Sequence, residues 1–291
     1  MEAIRLQGQP KLRKPIMVAA WPGMGGVATV AAKYLMEKLG AQEFGSIDPE
    51  EFFDLSGVLI EDSMVKDIEF PECKFYVWES GGKNDLIIFI GEAQPLMKGY
   101  AFANMVIDVA QRFKVKRLYT FAAAPTHIYH TKRPKVLAVA TKPKLIEELK
   151  GYDVTLLSQG TISGLNGLLL AAAKAKKIDG ICLLSEIPIY TTQIANPRSS
   201  KAVLQVFGQM SGLEIDLGDL DNWARETDEE IDGRLDHMRR TFGEEARELI
   251  EYFDRLAEQT SAEEMSEYRT DELLKEIERF LRGKSQEKGG N

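Results

Sequence analysis

Six runs of strand length that are apolar almost without interruption constrain this chain more than any other feature. They are Ile16 to Trp21, Lys74 to Trp78, Asp85 to Gly91, Arg117 to Ala123, Lys135 to Thr141 and Asp179 to Ser185. A strand with one wet face alternates apolar and polar residues, whereas a near-continuous run must be covered on both faces. Helix-like segments lie between the runs, at Gly26 to Leu39, Gly99 to Phe113, Pro143 to Lys150, Gly164 to Lys177 and Arg198 to Met210. Strands and helices interleaved in this way predict a layered α/β fold with a largely parallel centre. Residues 43–77 break the rhythm. Short segments around Glu51 to Phe53, Val58 to Glu61, Val65 to Phe70 and Lys74 to Trp78, punctuated by Gly57 and Pro71, predict antiparallel hairpins inserted in the sheet, which makes it mixed.

After Gly218 the character changes. Proline is absent from there on, and apolar residues follow helical spacing at Ile231, Leu235, Met238 and Phe242, then at Leu249, Ile250, Phe253 and Leu256. A third segment, Leu273 to Leu281, opens with a cap at Thr270 and acids at Asp271 and Glu272. The expected division is an α/β core over 1–218 and an acidic helical extension over 219–291. The extension carries 22 acidic against 12 basic residues, and the remainder 23 against 25, so the net charge of -8 belongs to the extension. An acidic appendage on a near-neutral body repels phosphate backbones and argues against nucleic acid as a partner.

No apolar run approaches the roughly 18 residues of a spanning helix. Residues 1–15 mix Arg5, Lys11, Arg13 and Lys14 with Gln and Pro and lack an apolar signal core, so no membrane partner and a cytoplasmic location are expected. Cys73 and Cys182 each sit inside an apolar strand-like run, the pattern of packed thiols rather than a disulfide or a thiolate metal site.

Polar residues that directly follow strands are where open α/β sheets hold ligands. Trp21-Pro22-Gly23-Met24-Gly25-Gly26 links the first strand to the first helix, and glycines before a helix N-terminus can expose backbone N–H groups to an anion. Gly23, Gly25 and Ala28 formally match a dinucleotide fingerprint with Asp48 as the ribose acid, although Ala41 to Ile47 is too polar for a central Rossmann strand. A tight turn without a ligand accounts for the glycines equally well. In Gly91-Glu92-Ala93-Gln94-Pro95, Glu92 could act as a base or bind a cation or hydroxyl, with Gln94 fixing orientation; the bland alternative makes Glu92 a helix cap. Glu186 and Tyr190, in Ser185-Glu186-Ile187-Pro188-Ile189-Tyr190, would join the same crevice if sheet order brings Glu186 to Glu92; bonds to backbone amides are the structural alternative. Asn166 in Ser163-Gly164-Leu165-Asn166-Gly167 opens a helix, but the lysine and hydroxyl of a P-loop are missing and capping is expected there. His127 and His130 read as a surface loop after a strand, His237 has no partner signal, and no metal or cofactor is expected. There is no nucleophile elbow for serine-based acyl transfer.

Taken in order, Trp21 to Ala28, Asp85 to Ile88 with Gly91 to Pro95, Gly160 to Gly164 with Gly167 to Leu169, and Leu183 to Tyr190 resemble the proteasome assembly chaperone 2 family and its archaeal and bacterial relatives, over about residues 14–217. The acidic extension is similar to those that bacterial members append. The resemblance implies a three-layer α/β/α sandwich with a mixed sheet, like that of purine nucleoside phosphorylases, and self-association, with a trimer as the working number. It also implies a non-enzymatic chaperone or scaffold that binds a proteasome or another complex. Relatives that dock on proteasomes often end in a hydrophobic residue, a tyrosine and a final residue. This chain reads Lys288-Gly289-Gly290-Asn291 there, so docking through that end is not expected. The rival reading is an enzyme or sensor for a nucleoside, nucleotide or phosphate, phosphorylase-like or carboxylate-amine ligase-like, at Gly23 to Gly26, Glu92 and Glu186. Hydride transfer stands third.

Overall fold

The computed structural model describes residues 3–241, except Leu55, Ser56, Leu59, Ile68 and Lys83. In chain order its elements are β1 (Ile4–Leu6), β2 (Ile16–Ala20), α1 (Val27–Leu39), β3 (Gln42–Ile47), β4 (Ile60–Glu61), β5 (Met64–Val65), β6 (Cys73–Trp78), β7 (Leu86–Gly91), α2 (Gly99–Arg112) and β8 (Arg117–Thr126). There follow β9 (Val136–Ala140), α3 (Pro143–Leu149), β10 (Thr155–Leu156), α4 (Gly164–Ala175), β11 (Asp179–Pro188), α5 (Pro197–Ser211) and α6 (Gly218–Thr241), with single 3-10 turns at Met24–Gly26 and Ile189–Thr191.

Nine strands form one mixed sheet in the order β1-β3-β6-β7-β2-β8-β11-β9-β10. The centre, β7-β2-β8-β11, is parallel throughout, and the near-continuous apolar runs supply it. Met17, Val18, Ile87, Ile88, Phe89, Leu118 and Phe121 are fully buried, as strands covered on both faces require. Alternation divides their side chains between two cores. Val18, Ala20, Ile88 and Phe121 face a layer containing α1, α3, α5 and the start of α6. Met17, Ala19, Ile87 and Phe89 face α2 and α4. The architecture is therefore the expected α/β/α sandwich.

The flanks differ from the centre. β3 pairs antiparallel with β6 and with β1, so the polar Gln42 and Glu43 lie close to a sheet edge rather than in a buried parallel strand. The hairpin expected inside the sheet stands outside it, because β4 and β5 pair only with each other. Glu51 to Phe53 is a turn whose rings dock on Phe102, Phe52 at a centroid distance of 5.0 Å and Phe53 at 6.0 Å. Sequence patterning missed β1 and β10 because three and two residues carry no readable period.

α6 starts at Gly218 and buries Leu220, Ala224, Thr227 and Ile231, an i, i+4, i+7, i+11 stripe that begins well before the Ile231–Phe242 pattern. It lies on α5 and is tied by Lys38 to Asp219 at 2.5 Å, and by Lys201–Asp221 and Arg198–Asp228 pairs. The helical segments expected beyond Thr241, and the cap at Thr270, lie outside the described residues. Both cysteines are free and buried, and burial pushes both thiols up to about 12, so neither is a thiolate at neutral pH.

Phe102 joins the two ends of the α2-side core, meeting Trp21, Phe52, Phe53 and Phe89. Phe102→Ala is expected to lower the unfolding free energy by about 3–5 kcal/mol, measured by denaturant titration.

Candidate functional site

The parallel strands β7, β2, β8 and β11 end side by side, so the segments after them share one edge of the sheet. The glycine loop leaves β2 there. Trp21 is buried against Phe89 at 5.1 Å and Phe102 at 6.4 Å, and its indole N–H has no partner among the described residues. Gly23 is extended, while Gly25 and Gly26 hold left-handed φ values of 61° and 59°. At Gly25 a side chain would also come within 3.1 Å of Ile187. The Gly25 N–H donates to the Thr192 carbonyl at 2.7 Å and the Gly26 N–H to the Gly23 carbonyl at 3.0 Å, while the Gly25 carbonyl accepts from Asn196 N–H at 2.8 Å. Both donors that an anion would use at these glycines are engaged within the protein.

Gln94 explains the neighbouring motif. Its amide N–H donates to the Pro22 carbonyl at 2.5 Å and its Oε1 accepts from the Leu165 N–H at 2.9 Å. One side chain thus holds the glycine loop to the first turn of α4. Ser163 occupies the cap position but makes no side-chain cap bond, so the expected serine cap is replaced by Gln94, which lies 71 residues before the Leu165 it caps. Gly164 leaves room for it: φ is +72°, and a Cβ there would sit 2.3 Å from Gln94 Oε1. Asn166 is 4% exposed with its Oδ1 unpaired among the described residues.

Glu92 and Glu186 are not neighbours. β2 and β8 separate their strands, which puts roughly 14 Å of sheet between β7 and β11. Each also turns outward from the shared centre. Exposed Glu92 accepts from the Glu72 N–H at 2.9 Å rather than capping α2. Glu186 is buried within β11 and accepts from the Lys135 N–H at 2.8 Å, the backbone role anticipated as the alternative. Burial raises its carboxyl above the usual range, opposed by the Lys135 amide and Thr126.

A further polar group on this edge is one the sequence placed on the surface. His130, just after β8, has a side chain only 1% exposed. Tyr190 Oη accepts the His130 backbone N–H at 3.2 Å and lies 3.0 Å from Nδ1. Nε2 is 3.2 Å from Asp232 Oδ1 on α6, within ion-pair range but off the line of a hydrogen bond. Tyr129 Oη reaches the same carboxylate at 3.3 Å. Nδ1 and Tyr190 Oη share a hydrogen bond whose direction is set by the imidazole tautomer. The arrangement latches α6 to the core. Asp228 and Asp232, four apart on a helix, were its only sequence signal. Thr191, Asn196 and Ser199 form a further internal network beside it: Asn196 donates to Thr191 at 3.1 Å, and the single Ser199 hydroxyl proton is shared between the Glu186 carbonyl at 2.6 Å and Asn196 Oδ1 at 3.0 Å. Among the described residues no three potential metal ligands converge, and no helix is long and apolar enough to cross a membrane.

The fold is thus a mixed-sheet α/β/α body in which Gly25, Gly26, Gln94 and Glu186, all at one edge of the sheet, bond to backbone groups of the protein itself. The chain belongs to the PAC2 family, which it matches over residues 17–234. It is similar to Pyrococcus furiosus PbaB, described as an archaeal proteasome activator, with 31% identity and a TM-score of 0.69 over 79% of this chain and 97% of that one. It is also similar in fold to P. furiosus PbaA, an archaeal homolog of proteasome-assembly chaperone, at 22% identity and a TM-score of 0.62 over 87% and 99% of the two chains. Uncharacterized protein MJ1210 of Methanocaldococcus jannaschii shares 26% identity over 217 residues, 74% of this chain and 80% of that protein.

Gln94→Ala is expected to cost about 1–3 kcal/mol by leaving the Pro22 carbonyl and Leu165 N–H unpaired, measured by thermal or denaturant unfolding. The His130 latch gives a pH dependence. Burial holds its pKa below 6.5, against the opposing pull of Asp232 and Asp228 and with Arg198 nearby; Tyr129 and Tyr190 also face it among the described residues. A histidine depressed on folding contributes stability above its unfolded pKa that is lost as pH falls through 6.5 and below. His127, also depressed by burial, adds in the same direction. Stability is therefore expected to fall between pH 7.5 and 5.5, and His130→Gln to flatten that slope, as read from unfolding midpoints across the range.

Proposed function

We propose that this protein is a non-enzymatic, chaperone-like member of its family that self-associates in the cytoplasm and assists the assembly or activity of a proteasome or another large complex. The observation that carries this reading is the likeness to PbaB, at 31% identity across 97% of that chain, because PbaB is described as a proteasome activator. The crevice supports it. Gly25, Gly26, Gln94 and Glu186 each bond to the protein's own backbone, as expected of loops that shape a binding body rather than turn over a substrate. In this reading Trp21 to Gly26, Gln94, Asn166 and Tyr190 set the form of the body instead of holding a ligand.

Purified 20S proteasome mixed with the full chain tests the proposal by co-sedimentation, alongside light scattering of the chain alone, for which three subunits is the working number. Salt-stable co-sedimentation is the expected result. No association, together with a rise in melting temperature on adding phosphate or a nucleoside that Glu92→Gln or Glu186→Gln abolishes, would replace it with the ligand-binding reading.

A further inference from the structure

Two apolar surfaces are exposed among the described residues. The first is the β4–β5 hairpin. Its two-residue turn, Asp62-Ser63, holds left-handed φ values of 51° and 63°, the primed geometry that closes a tight hairpin. Ile60 pairs with Val65 on one face and Glu61 with Met64 on the other. Val58, Ile60, Met64 and Val65 are all exposed; Ile60 and Val65 make one face of the hairpin apolar, while Met64, 71% exposed, shares the other with the Glu61–Lys66 ion pair. A two-stranded hairpin outside any larger sheet is marginal by itself and gains stability when it packs against something.

The second surface lies where the glycine loop, α2 and α4 meet. Gln94 binds Pro22 to Leu165, and Gly99 abuts Leu165 and Leu168, so these segments are contiguous. On that contiguous area Met24, Leu96, Met97, Tyr100 and Leu168 are exposed, and Leu96 is 96% exposed. Large apolar residues grouped in this way mark an interaction surface, whereas scattered ones do not.

We propose that the hairpin of one protomer seats on the Leu96–Met97–Tyr100 surface of a second copy of the same chain. This rests on the self-association proposed above and names its interface. Charge matches across the contact: among the described residues Asp62, Asp67 and Glu69 on and beside the hairpin form no ion pair, and Lys98 on the seat forms none either. Area matches as well. The exposed parts of the nine apolar residues sum to at most on the order of 1,000 Å² per contact, an upper limit that reaches the lower bound of a specific interface before any polar rim is added. Because the hairpin and its seat are different patches, the contact is made either twice across a two-fold axis or head to tail around a ring, and the mass of the wild type tells which.

The test uses two full-length variants, Ile60→Glu with Met64→Glu in the hairpin, and Leu96→Glu with Met97→Glu in the seat. All four positions are on the surface, so circular dichroism and melting temperature should match the wild type. Each variant alone is expected to lose the wild-type mass in light scattering and run as a monomer. An equimolar mixture should form a 1:1 complex, since the intact hairpin of one can occupy the intact seat of the other. Variants that retain the wild-type mass would overturn the proposal, as would a mixture that stays monomeric or a wild type that is monomeric throughout. Variants that keep their mass but lose 20S co-sedimentation would reassign the surface to the outside partner. A wild type that self-associates through these residues yet ignores 20S proteasome would remove the chaperone reading and leave the interface standing.

Discussion

The ladder between β8 and β11 is the constraint on which the rest of this structure depends. Ten residues pair in parallel without a break, from Asp179 opposite Arg117 to Pro188 opposite Thr126. Both strands therefore run on past their most apolar stretches. The extra length keeps Glu186 inside a strand, where its side chain meets the backbone of Lys135. It also puts Ile187 against Gly25, so the glycine loop closes on the end of the ladder. Prolines at 125 and 188, which would remove a ladder donor in mid-strand, fall in the last two positions of their strands, where the cost is small.

Much of the fold was legible because its signal is local. A strand buried on both faces has to be apolar at nearly every position, and β2, β7, β8 and β11 show this in runs that no surface strand would tolerate. The helices between them declared themselves by period and by the glycine or proline at their ends. The polar character of Gln42 and Glu43 was also informative, since it ruled out a central parallel strand and the structure places β3 near an edge. By contrast, nothing local distinguishes a hairpin inside a sheet from one outside it. β4 and β5 have suitable residues for either, and the difference lies in what is available to pair with them.

The candidate site was less legible, for the same physical reason. Its residues were placed at the right edge of the sheet, but their partners are far away in sequence. Gln94 meets Leu165 and Pro22, Glu186 meets Lys135, and His130 meets Tyr190 and Asp232. A histidine after a proline in a basic loop looks exposed until a tyrosine 60 residues later and a carboxylate on α6 enclose it. Side chains that satisfy backbone groups and side chains that bind ligands are the same residue types, and only the identity of the partner separates the two.

The contact between Gln94 and Gly164 also bears on how this chain can diverge. A Cβ at position 164 would overlap the carboxamide oxygen of Gln94 at 2.3 Å, and that same oxygen is the acceptor for the Leu165 N–H. The two positions cannot drift independently. A larger residue at 164 pushes the Gln94 carboxamide aside and takes from the helix its acceptor for the Leu165 N–H, on top of the strain of a φ of +72°, so the two positions are coupled. One atom's worth of space thus links two motifs that lie far apart along the chain.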